Sequence, residues 1–423
     1  MPFGFSGEEP MKSIALWASA LALVGAASAG FAPESMTYAT PYATPVVEKP
    51  SDKDAGTFHG LLGLAESLPP SSSLKVLWTH GMCTHPSSWV DDRMKRLVAS
   101  TGGTAQTVVV RPVGSHGAAL RTDRITLRST TIDVTFLTWS ALTTPYKAAL
   151  AYDHSKHYGG DFPYARATLN RELKRGLIND CMTDVVVYGG PNGMNIRHAA
   201  QEAVCDAIGG RVEGGTCNVP PGGSPAALAF VTESLGSKML FDAILEVWTV
   251  AEKGDDKTVV DRVATGLAAT KMMYMVANQL PLLDAAGTAT AGALWDASPR
   301  RPAMRSNTRN VFDLFSRARR TAAPTIEPMT VVAFSDPNDL LSYRIVPGHL
   351  DGNLKDFRIV NVMVSNDTTY FDFVERPDTA HCGYTWNPHV FGMLAKGYDA
   401  GKALPAVAGL PAGVCPSFAA LQD

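Results

Sequence analysis

Ser234 lies in the run Thr232-Glu233-Ser234-Leu235-Gly236, between an apolar stretch at 227–232 and a helix-forming stretch from 235 to about 252. A strand that turns sharply into a helix can lift a serine hydroxyl clear of the backbone and aim the helix N-terminus at an oxyanion forming beside it. That is the setting of a nucleophilic serine, and it asks for small residues two places to either side. Gly236 meets the demand, whereas Thr232 meets it only in part, because a β-branched side chain crowds such a turn. The pattern is short, and residues 26–30 fit a loosened form of it, so the strand-turn-helix setting carries the reading. A serine that only caps a helix after a buried strand is the plainer alternative.

Two further motifs narrow the choice. Val76-Leu77-Trp78-Thr79-His80-Gly81-Met82 resembles the strand and His-Gly turn that α/β-hydrolases place beside their nucleophile, and Ser234-Leu235-Gly236-Ser237 is similar to the elbow of their lipase and esterase branches. The resemblance covers about 74–386. It implies an oxyanion hole built from the main-chain N–H groups of Met82 and Leu235, and it makes His80 a turn-stabilising residue. It also implies the chain order Ser, acid, His. His381, in Ala380-His381-Cys382-Gly383-Tyr384-Thr385-Trp386, is then the general base, with His389 in reserve. The acid falls in Ser335-Asp336-Pro337-Asn338-Asp339, after the apolar run 331–334. Asp336 precedes proline in a β-turn pattern, where its carboxylate is expected to accept main-chain N–H groups of the turn. Asp339, at the far end, is free to reach the histidine and is assigned the role; Asp367 and Asp372 come next in line.

These residues need a scaffold. Strand-like runs are expected at 75–79, 106–113, 131–138, 184–188, 227–232, 330–334 and 358–364, and helices at 87–100, 195–208 and 235–252. Strands alternating with helices predict an α/β fold, a mostly parallel doubly wound sheet covered on both faces, the α/β-hydrolase fold of the resemblance. The span between His80 and Ser234 exceeds what one strand and two helices need. An antiparallel pair at about 125–140 and an insert at about 141–182 are expected to fill it, the insert being a candidate cap or a set of surface helices; 284–321 raises the same choice. The insert holds His154-Ser155-Lys156-His157, which lacks the carboxylate or cysteine partners of a zinc site and reads as solvated loop.

With 423 residues, 45% of them hydrophobic, the chain can bury a large core, and 37 basic against 40 acidic residues give no reason to expect nucleic acid as a partner. Lys12, the apolar run 14–24 and Ala27-Ser28-Ala29 read as a signal peptide over 1–29, with the true start at Met11 and export to the periplasm or medium. A flexible Pro/Ser/Thr-rich leader is expected over 30–73 and the hydrolase domain over 74–423. No run is long enough to span a bilayer. The six cysteines allow disulfides, and the glycine-rich turns between Cys205 and Cys217 could let that pair meet. The expected activity is hydrolysis of a small-molecule or lipid ester with an apolar acyl group through an acyl-enzyme on Ser234, with no cofactor. Two alternatives stay open: an inactive hydrolase-fold protein acting as an exported binding module, and metal-dependent hydrolysis using His80, His85, His154 or His157.

Overall fold

The computed structural model describes residues 42–47, 56–114, 117–153, 167–284, 307–322, 328–345, 356–366, 375, 377–400, 402–405 and 407. The expected signal peptide lies outside them. Within them the strands β1 Tyr42–Val47, β2 Ser73–Thr79, β3 Thr104–Val113, β4 Ala118–Thr126, β5 Thr131–Thr138, β6 Ala227–Glu233, β7 Thr270–Val276, β8 Met329–Ser335 and β9 Phe357–Ser365 form one nine-stranded sheet in the order β1-β9-β8-β7-β6-β2-β5-β4-β3. The six strands from β9 across to β5 run parallel. Antiparallel strands flank them, β1 on one side and β4 with β3 on the other.

The helices that matter for the site are α1 Leu61–Glu66, α2 Trp89–Thr101, α3 Thr144–Leu150, α4 Thr183–Gly189, α5 Met194–Ala207, α6 Gly236–Lys253, α7 Lys257–Ala268, α8 Asn307–Ala322, α9 Pro377–Cys382 and α10 Pro388–Lys396. Successive strand residues face opposite ways, so Leu77 enters one core, with α5 to α8, while Val76 and Trp78 enter the other, with α1, α2 and α10. The sheet is therefore doubly wound. This also explains why β6 is buried at every position and shows no polar alternation. After β2 the chain crosses to the far edge at β3 and comes back through β4 to β5 beside β2; β6 then takes the other side of β2, and the chain proceeds outward to β9. The crevice at the carboxyl ends of β2 and β6 is thus the topological switch point, where such sheets bind ligands.

In place of the strand expected at 184–188 the chain forms α4, with Asp184, Val187 and Tyr188 buried and Val186 exposed; a short apolar run does not separate strand from helix by itself. The leader expected over 30–73 is not simply a leader: 42–47 pairs antiparallel with β9, and Leu61, Leu64 and Ala65 of α1 are buried under α10 and β2. The antiparallel pair near 125–140 is part of a three-strand meander, β3-β4-β5. In 284–321 the described part is α8, whose Val311, Phe312, Leu314, Phe315 and Ala318 pack into the core beside α6 and α7, so it is a surface helix and not a cap. Of the insert, 154–166 lies outside the described residues, His154 and His157 with it.

Candidate active site

β6 ends at Glu233 and α6 begins at Gly236, which leaves Ser234 to make the turn with φ of 53°. A non-glycine residue in that left-handed region is strained, and such strain persists only where its surroundings fix it. Here they do. Ser234 N–H donates to Val276 O at 2.8 Å, and the two neighbouring glycines let chain segments meet without side chains between them. A Cβ on Gly236 would sit 2.9 Å from His80 O, and one on Gly81 would sit 2.5 Å from Ser234 Cβ. The crowding expected of Thr232 is relieved because its hydroxyl turns to the neighbouring strand, 3.4 Å from Tyr274 O. Glu233 anchors the end of β6. Its buried carboxylate takes Arg93 Nε at 3.0 Å, Arg93 Nη2 at 3.1 Å and Trp78 Nε1 at 2.9 Å, so β6, α2 and β2 are tied at one point.

The acid and the histidine arrive from the far end of the chain. After β8, Asp336 accepts Asn338 N–H at 2.9 Å and Asn366 N–H at 2.7 Å, which occupies it in the turn. Asp339 Oδ1 accepts Leu341 N–H at 2.9 Å, and both Asp339 oxygens lie 2.9 Å from His381 Nδ1, on α9. Burial pushes the Asp339 carboxyl up, but the His381 ring beside it and the donors Leu341 N–H and Tyr384 O–H outweigh that and leave it below its ordinary value. An ionised carboxylate can only accept. The imidazole proton therefore belongs on Nδ1, and Nε2 turns its lone pair to Ser234 Oγ at 3.0 Å. The tautomer follows from the hydrogen-bond network. His389 lies on α10 near Pro405 O, away from the cavity at Ser234, and Asp367 and Asp372 lie outside the described residues.

Met82 follows the Gly81 that abuts Ser234, and Leu235 is the residue after it. Among the described residues neither main-chain N–H has a hydrogen-bond acceptor. His80 is fully buried, with Nδ1 2.8 Å from Gly81 O and Nε2 accepting Trp139 N–H at 3.1 Å. Burial, and then His85 stacked on it at 4.1 Å, push its imidazole well below the ordinary histidine value. With both nitrogens engaged His80 braces the turn and is not disposed to ligate a metal. Cys83, Asp180 and Cys181 cluster, but the two cysteines form a disulfide and offer no thiolate.

Four residues at the site carry no local sequence signal of their roles. Glu233 and Arg93 form their pair through tertiary packing, Tyr384 O–H lies 3.0 Å from Asp339 Oδ2, and Gln279 Nε2 lies 3.4 Å from His381 Nε2. Gln279 follows β7, a strand not read from sequence, so nothing there could have marked it. The cavity bounded by Met82, Trp89, Ser234, Ala277, His381 and Trp386 measures about 80 Å³. A wider groove of about 580 Å³ near Lys75, Arg211 and Arg262 holds none of these groups.

Fold and site together define an α/β protein, a mostly parallel doubly wound sheet with a linked serine, histidine and aspartate at its switch point. No family model matches the chain, and no curated protein matches it. Among solved structures, acetyl xylan esterase 1 from Thermoanaerobacterium sp. aligns at 11% identity over 67% of this chain and 88% of that chain with a TM-score of 0.17, a likeness too slight to carry fold or function. Among the described residues no helix is long and apolar enough to cross a membrane.

Proposed function

We propose that this protein is a serine hydrolase that cleaves carboxylic esters with short apolar acyl groups through an acyl-enzyme on Ser234. The observation that carries the reading is the continuous relay from Asp339 through His381 to Ser234, at 2.9 Å and 3.0 Å, on a serine held at positive φ. In this reading Ser234 Oγ attacks the ester carbonyl carbon while His381 Nε2 takes its proton, and Asp339 stabilises the imidazolium without accepting a proton itself. The Met82 and Leu235 N–H groups receive the oxyanion, an arrangement supported by their having no other acceptor among the described residues. His381 then returns its proton to the departing alkoxide. A water activated by the same nitrogen attacks the acyl carbonyl, and its proton passes back to Ser234 as the acid leaves.

Cavity size supports the short acyl group, since about 80 Å³ is well below the roughly 300 Å³ at which pockets for larger ligands begin. The Cys83–Cys181 and Cys205–Cys217 bridges support an oxidising compartment, in keeping with export to the periplasm or medium.

A fluorophosphonate probe is expected to label wild-type protein on Ser234 and to leave Ser234→Ala unlabelled at an unchanged melting temperature. Turnover of p-nitrophenyl esters should fall from acetate and butyrate towards laurate. Labelling elsewhere, or a Ser234→Ala variant that keeps a tenth of wild-type kcat, refutes the assignment; a rise with chain length refutes the short acyl group.

A further inference from the structure

The turn that carries Met82 is held from outside the sheet. Cys83, the next residue, has φ of 79°, a strained conformation for a side chain of its kind. Its sulfur is bridged to Cys181, which is buried in a π-helical segment, Lys174–Met182, of the insert. One residue further, Thr84 N–H lies 3.1 Å from each Asp180 oxygen and Thr84 Oγ1 donates to Asp180 Oδ1 at 2.6 Å. Lys147 on α3 completes the cluster, with Nζ 2.9 Å from Asp180, 3.0 Å from Asp184 on α4 and 3.2 Å from Thr84 Oγ1. A covalent bond and a carboxylate accepting three donor contacts therefore converge on the two residues after Met82, and every anchor belongs to the inserted segment. π-Helical turns are rare and recur at functional sites.

We propose that the Cys83–Cys181 bridge and Asp180 form a clamp through which the insert fixes the Met82 N–H in oxyanion-binding position, Asp180 acting as a positioning residue. The inference rests on the serine-hydrolase reading above. Asp180 and Cys181 stand behind the cavity at Ser234, which Cys83 and Thr84 border. The clamp holds the left-handed turn at Cys83, the residue that follows Met82, and so limits how far the Met82 main chain can shift. An oxyanion-hole donor acts on the transition state and hardly on the ground state, so loss of the clamp should lower kcat and spare KM. Removing such a donor outright costs roughly 100- to 1000-fold in kcat, and a misplaced donor should cost less than a missing one.

The test compares wild type, Asp180→Ala, Asp180→Asn, Thr84→Val and the double variant Cys83→Ser/Cys181→Ser, using p-nitrophenyl acetate for kcat and KM and butylboronic acid as a tetrahedral adduct on the serine. Asp180→Ala and the double variant are expected to lose about 10- to 100-fold in kcat with KM within about threefold, and to bind the boronate correspondingly more weakly. Asp180→Asn keeps one oxygen for Thr84 N–H and should recover part of the loss. Cys205→Ser/Cys217→Ser, which breaks a bridge away from the site, should lower the melting temperature and leave kcat unchanged. Should Asp180→Ala fail to fold, Thr84→Val removes one strand of the clamp at an exposed residue and should shift kcat and boronate affinity together by a smaller factor. Folded clamp variants with kcat within twofold of wild type, or with an effect confined to KM, overturn the clamp. Fluorophosphonate labelling separates the failures: wild type unlabelled at Ser234 removes the hydrolase reading, whereas labelled wild type with indifferent variants removes the clamp alone.

Discussion

At the scale of single residues, the two aspartates after β8 have divided their work through backbone chemistry. Asp336 is saturated by N–H groups of its own turn and of Asn366, while Asp339 spends one oxygen on Leu341 and turns both toward His381. Asp339→Asn removes the charge that fixes the histidine proton on Nδ1, and kcat for p-nitrophenyl acetate is expected to fall by about 1000- to 10,000-fold with the fold intact. Asp336→Asn should instead lower the melting temperature and keep most of kcat, since what it weakens is the turn. The reverse pattern would transfer the acid role to Asp336. This division was legible in the sequence because Asp-Pro at the start of a β-turn has a known hydrogen-bonding habit. Gln279 and the Glu233–Arg93 pair were not legible, since long-range packing and no local spacing brings them to the site.

At the scale of elements, the parallel strands with β-branched runs were readable, and the Met-rich β7 was not. Thr270-Lys271-Met272-Met273-Tyr274-Met275-Val276 has little branching and no alternation, and its strand state comes from pairing with β6 and β8 on both edges. α4 shows the opposite error, a Val-rich run drawn into a helix by its neighbours. The elements meet at Glu233, where β6 is held to α2 by a bidentate pair whose side chains are 11% and 6% exposed. Such burial makes the pair costly to break and weakly stabilising in itself. Arg93→Met, which strands a buried carboxylate, is expected to lower unfolding free energy by about 3–5 kcal/mol, whereas Arg93→Met/Glu233→Leu should recover most of that loss. Urea denaturation of both variants decides it, and a double variant no more stable than the single one would mean the pair contributes net stability.

At the scale of the whole molecule, two buried carboxyls set opposite pH limits on stability. The Asp339 carboxyl lies below its ordinary value, so its contribution is present above the unfolded value of about 3.9 and lost as pH falls further. Asp184 goes the other way: burial raises its carboxyl to about 6, only partly countered by Lys147, while Asp180 nearby adds to the rise. A folded value raised above the unfolded one means stability that is complete below about pH 4 and lost as pH climbs through about 6. Asp184→Asn has no such titration. The stability of wild type relative to Asp184→Asn is therefore expected to decline by about 3 kcal/mol between pH 4 and pH 8, two units of displacement at 1.36 kcal/mol each. Because Asp184 and Asp180 share Lys147, the loss should fall on the insert first, loosening the segment that borders Thr84 while the sheet stays formed. Hydrogen exchange across pH 4 to 8 would locate it, and thermal melts of the two proteins would size it. A difference between the proteins that stays flat over that range would show that Asp184 is charged in the fold at pH 4 and that Lys147 outweighs its burial.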